Sequence, residues 1–321
     1  MVAWIALLVA QALPKEPVVV IGKPREYHGE HMPQAAYSPD GKLLAVRNAQ
    51  AVDVWRLGSK EHWELAGPPP ARLGGLLSFS FDGRYLASHS LLEVKVWEIT
   101  AAGPVERGVT PIPEGTGYLW TQTLATPRGK ELVASGRPQK LSETAVWETR
   151  IFAPLTSYPT HLEFSPDAKT VACASRDATV RLWDLTGAEP RETALLREGN
   201  HVTAVAWSPD GKALATSGWG PYVHVWDLAA RRVKQTLEGH KYLVKSARFA
   251  ADGTHLAALS SDWGRKESVL TLWDLASGRK RAEWTVPVDA HSMTLAPDRR
   301  HAAVVGENSV VYVFRIQEER R

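Results

Sequence analysis

The chain has 321 residues, 44% of them hydrophobic and 23% charged, with a formal net charge of +3. Those proportions exclude disordered and fibrous classes, and the short clusters Arg231-Arg232, Arg279-Lys280-Arg281 and Arg299-Arg300 are too dispersed to form a nucleic-acid-binding stripe. Cys173 is the single cysteine, so no intrachain disulfide can form, and its setting in Thr170–Ser175 reads as a packed thiol.

Val2 to Ala10 is an apolar run too short to cross a bilayer as a helix, and Ala10-Gln11-Ala12 fits a small-x-small cleavage site. Residues 1–12 are therefore expected to be a signal peptide, with export to the periplasm or the cell exterior. The alternative is a cytoplasmic protein with an apolar extension packed on the domain. Pro17 to Gly22 follows as a strand-like segment with no local partner.

From Ala35 onward one unit recurs: an apolar run, a tight turn written Ser-Pro-Asp-Gly or a variant, a second apolar run, and an alternating stretch closed by an aromatic. The turns centre on Asp40, Asp82, Arg128, Asp167, Asp210, Asp252 and Asp298, at steps of 42, 46, 39, 43, 42 and 46 residues. The closing aromatics are Trp55, Trp97, Trp147, Trp183, Trp226, Trp273 and Phe314. In the fifth unit the spacing predicts strands over 202–207, 213–217, 223–228 and 232–237. Pro presets φ in the turn between the first two and Gly accepts positive φ. A period in the forties with four strands per period defines the blade of a β-propeller. Alanine-rich second strands (Ala45, Ala87, Ala134, Ala172, Ala174, Ala215, Ala257, Ala258, Ala302, Ala303) and bulky third strands suit a wedge crowded toward an axis.

The expected fold is all-β: a seven-bladed propeller of four-stranded antiparallel blades, spanning residues 13–317 as a single domain before a charged tail, 318–321. The last unit lacks a fourth strand after Phe314, so Pro17–Gly22 is expected to pair with residues 310–316 and close the ring. The third unit is degenerate: Thr126-Pro127-Arg128-Gly129 replaces the Asp-bearing turn, and residues 101–117 read as a loop. A six-bladed ring with an insertion is the alternative there.

Val180-Arg181-Leu182-Trp183-Asp184-Leu185, His224-Val225-Trp226-Asp227-Leu228 and Thr271-Leu272-Trp273-Asp274-Leu275, with Gly239-His240, resemble the WD-repeat family over roughly residues 17 to 317. The resemblance implies a rigid, non-catalytic platform for protein partners. It also implies a His, Ser/Thr, Asp, Trp network inside each blade, and no unit carries the full set. The fourth has Ser175, Asp177 and Trp183 without the His. The sixth has His240 and Trp273, with Ala258 and Glu267 in the other two places.

No catalytic residue, cofactor site or metal site stands out. His28 and His31 are an i,i+3 pair without a third ligand, and no Gly-rich phosphate loop or nucleophile elbow is present. The loops joining second to third strands carry Trp219 and Trp263, with Tyr222, Asp262 and Arg265 close by and Arg176 on the fourth unit. Trp, Tyr and Arg on a rigid face are the composition of an interface hot spot. Both indoles could instead cover their own blades. The expected function is a scaffold holding a protein or peptide partner on the loop-rich face. The expected protein is a monomer without a membrane span or nucleic-acid ligand. The alternative is a propeller enzyme or small-ligand binder using the central channel.

Overall fold

The structure, a computed structural model, describes residues 16–22, 33–48, 51–67, 77–80, 82–89, 93–111, 122–125, 131–135, 148–152, 159–187, 190–250, 252–262, 266–298 and 300–316. Among the described residues the strands fall into seven sheets, six of them four-stranded and antiparallel, and none is helical. In chain order the innermost strands are Gln34–Tyr37, Leu77–Phe79, Gln122–Ala125, Pro159–Phe164, Val202–Trp207, Leu243–Phe249 and Ala290–Leu295. Each lies against the innermost strands of the sheets before and after it, and the last lies against the first. The sheets therefore form a ring.

In the fifth blade the strands are Val202–Trp207, Ala213–Gly218, Tyr222–Asp227 and Arg232–Glu238. They pair in sequence order, as the repeat requires. The second-strand alanines Ala45, Ala172, Ala174, Ala215, Ala257, Ala258, Ala302 and Ala303 are fully buried, which lets neighbouring sheets approach near the axis. Aromatic and branched side chains fill the wider seams further out. Between blades six and seven, for example, Leu259, Leu270 and Trp284 pack on Met293, Val304 and Phe314.

The repeated turns have one chemistry. Ser38 Oγ donates to Asp40 Oδ1 at 2.7 Å and accepts the Leu43 amide at 2.9 Å, while Asp40 Oδ1 accepts the Lys42 amide. The same set recurs at Ser80–Asp82, Ser165–Asp167 and Ser208–Asp210. The turn glycines also interlock the ring. A Cβ on Gly83 would lie 3.5 Å from Pro39 of the preceding blade, and one on Gly41 would lie 3.5 Å from Pro297 of the last. Gly41, Gly83, Gly211 and Gly253 take φ of 65° to 71°, but the fourth blade has Ala168 there at φ 58°. An L-residue in the left-handed region costs about 1 kcal/mol. Ala168→Gly is therefore expected to raise stability by about 0.5–1 kcal/mol in urea melts; an unchanged or lower midpoint would refute the strain.

The N-terminal strand completes the last blade. Val19, Val20 and Ile21 pair antiparallel with Val313, Tyr312 and Val311, giving a sheet in which Val19–Ile21 is outermost. Ile21 also packs on the apolar seam between blades seven and one, beside Leu44, Val46, Val305 and Val313. The third sheet departs from expectation. It holds three strands among the described residues, and Glu131–Ser135 pairs antiparallel with Gln122–Ala125 but parallel with Glu148–Phe152. Arg128 and Trp147 lie outside the described residues.

Candidate interaction face

The ring has one face made by the loops between second and third strands and by the loops between blades. Two of these meet at blade five: residues 198–201, which lead into its inner strand, and 219–221. Gly218 brings them together, and Gly220 makes room for the Tyr222 ring. A Cβ on Gly218 would lie 1.9 Å from the His201 carbonyl oxygen, and one on Gly220 would lie 2.2 Å from the Tyr222 ring. Only glycine permits that approach. The Trp219 amide donates to the same His201 carbonyl at 3.1 Å.

The Trp219 side chain is 57% exposed, the most exposed large apolar side chain among the described residues. The His201 ring meets the indole edge-on with centroids 4.7 Å apart, and His201 Nδ1 bonds the Arg176 carbonyl oxygen. Tyr222 is half-buried, with its hydroxyl 3.3 Å from Asn200 Nδ2 and its ring 4.7 Å from that of His224. Arg176, Trp219 and Tyr222 thus form one connected patch through His201 and Asn200. The sequence reading omitted these two linkers, although their place in an inter-blade loop on the same face marks them. Asp262 lies one blade further round. Burial pushes the Lys245 ammonium below the usual lysine range, while the charges of Asp289 and Asp262 oppose that shift. Trp263 and Arg265 lie outside the described residues.

A buried polar network fixes blade five beneath this patch. Trp226 Nε1 donates to Glu198 Oε1 at 2.8 Å and lies 3.0 Å from Thr216 Oγ1. Thr216 Oγ1 donates to the same carboxylate, and His224 Nδ1 holds its other oxygen at 2.7 Å. Burial pushes the Glu198 carboxyl upward. The bonds from His224 and Thr216, the His224 charge and the Trp226 bond together hold it below the usual glutamate range. Blade five thus builds a network without the full family set: counted back from the inner strands, Glu198 stands where His240 stands in blade six. There Ala258 replaces Thr216, and both His240 nitrogens and Trp273 Nε1 have no hydrogen-bond partner among the described residues. Burial, with the Lys280 charge second, lowers His240 to about 4.

The inner strands of blades four and six also carry a polar pair. Arg248 Nη2 lies 3.2 Å from His161 Nε2, across the inner strand between them. Burial and the Arg248 charge lower His161 to about 3, so the imidazole is neutral and accepts. The two groups satisfy each other. Among the described residues, no group of three or more His, Cys, Asp or Glu side chains could hold a metal ion.

A ring of radial antiparallel sheets with inner strands at the axis is a β-propeller. The WD domain, G-beta repeat family matches residues 150–184, 194–227 and 231–274, which are the repeats of blades four, five and six. A chain in the crystal structure of a mitotic checkpoint complex superposes with a TM-score of 0.73 at 18% identity, covering 97% of this chain and 94% of that one. At that identity the likeness shows the fold. Repeat sequence and architecture agree: the fold is a β-propeller, and its blades four to six are WD repeats.

Proposed function

We propose that the protein is a non-catalytic scaffold that holds a protein or peptide partner on its loop-rich face, with Trp219 as anchor and Arg176, His201 and Tyr222 around it. The supporting observation is the mounting of the indole. The backbone contact that Gly218 permits and the His201 ring hold a largely exposed Trp in one orientation, so little side-chain entropy remains to be lost on binding. WD-repeat propellers serve in general as protein-interaction platforms. Asp262 extends the proposed surface toward blade six.

Affinity purification from the source organism with wild-type protein and Trp219→Ala tests this. The variant is expected to weaken partner binding by about 10- to 100-fold. Its melting temperature should stay within about 1 °C of the wild type, because an exposed side chain contributes little to stability. Retention of the same partners by both proteins would refute the reading.

A further inference from the structure

We propose that Arg47 is the buried end of a receptor for a compact oxyanion, a carboxylate or a phosphate, at the seam between blades one and two on the loop-rich face. This is independent of the Trp219 patch. Arg47 closes the second strand of blade one, Leu43–Arg47. It pairs with Gln34 on one side and Val52 on the other, and Val52 pairs with Leu65. Directly paired residues project to the same side of a sheet, so Gln34, Arg47, Val52 and Leu65 form one row. Val52 and Leu65 belong to the apolar cluster that joins blade one to Leu77 and Phe79 of blade two, which fixes the direction of the row.

Arg47 is 6% exposed, and no hydrogen bond or ion pair of its guanidinium exists among the described residues; its Nε is buried without a partner. Other enclosed arginines are matched. Arg181 reaches Asp177 and Glu192, and Arg248 reaches the Ala247 carbonyl and His161. The position is also anomalous within the ring. Aligned on the residue paired with each closing aromatic, it is held by Ala174, Ser217, Leu259 and Val305 in blades four to seven, all buried and none charged. A guanidinium in that setting is costly unless an anion arrives, and its planar fork matches carboxylate and phosphate oxygens. Gln34, half-buried and beside it in the row, offers an amide donor.

The experiment compares wild type with Arg47→Met, which keeps the length and removes the charge. In low-salt buffer without oxyanions, the variant is expected to melt about 2–4 °C higher than wild type, because an unmatched buried charge is gone. Adding inorganic phosphate, or N-acetyl-glutamate amide as the carboxylate probe, should raise the wild-type midpoint by a few degrees and leave Arg47→Met unmoved. A response to phosphate alone assigns a phosphorylated ligand; a response to the glutamate probe assigns an acidic side chain. Calorimetric titration of wild type with both probes gives a readout that does not depend on the variant folding. A lower melting point for Arg47→Met, equal anion responses of the two proteins, or no heat of binding to wild type would each overturn the assignment.

Discussion

Deleting residues 16–22 is expected to abolish the monomeric, cooperatively melting protein. The last blade would keep three strands, and the outer edge of Val311–Arg315 would lose every partner it has in Val19–Ile21. The bond from the Val18 amide to Val313 O, at 2.7 Å, would go with them. Each lost backbone bond is worth about 1 kcal/mol, and the burial of Ile21 on the seam with blade one adds about 1 kcal/mol more. The total, about 4 kcal/mol, is a large share of what holds a domain folded. The bared edge is a second liability, since an unpaired apolar strand recruits other chains. Size-exclusion chromatography should show aggregates and calorimetry a broadened or missing transition. A monomer with an unchanged midpoint would show that the ring does not need its velcro strand.

Glu198→Ala should strongly destabilise blade five. The side chain of Glu198 is only 6% exposed, and its carboxylate takes bonds from Trp226, Thr216 and His224. Truncation leaves the His224 and Thr216 donors facing a void, and the loss is expected at about 3 kcal/mol in denaturant melts. The pH dependence has a definite sign. The folded carboxyl sits below its usual range. The stabilisation is therefore complete above the unfolded value of about 4.3 and disappears as pH falls through the lower folded value. Wild type and Glu198→Ala should thus differ most near neutrality and converge in acid. A constant difference across pH 2–7 would show that the carboxylate charge is not what matters. Trp219 stands outside this network, in contact with His201 rather than Glu198. Its removal should therefore cost partner binding and spare stability, and Glu198→Ala should do the reverse to stability.

Much of the architecture was legible because a propeller repeats itself. The turn chemistry of Ser38–Asp40 is local, needing only residues two to five apart, so each copy advertises itself in the chain. The strands of blade five matched their expected spans within a residue at each end. The partner of residues 17–22 was found by elimination, since blade seven lacked an outer strand. The parallel pair in the third sheet was not legible. That unit had lost the turn Asp and its register signal, so nothing in the sequence specified which edge Glu148–Phe152 would join.

Sequence alone determined the repeat, the number of turns and the identity of the buried second strands. These follow from period and volume, which a chain carries whatever its environment. Only the tertiary structure decided that Glu198 substitutes for a histidine, that His201 braces Trp219, and that no carboxylate of the described residues meets Arg47. Each of those is a meeting of side chains from different strands or loops, and the distances that make or unmake a hydrogen bond arise when the sheets are folded around their axis.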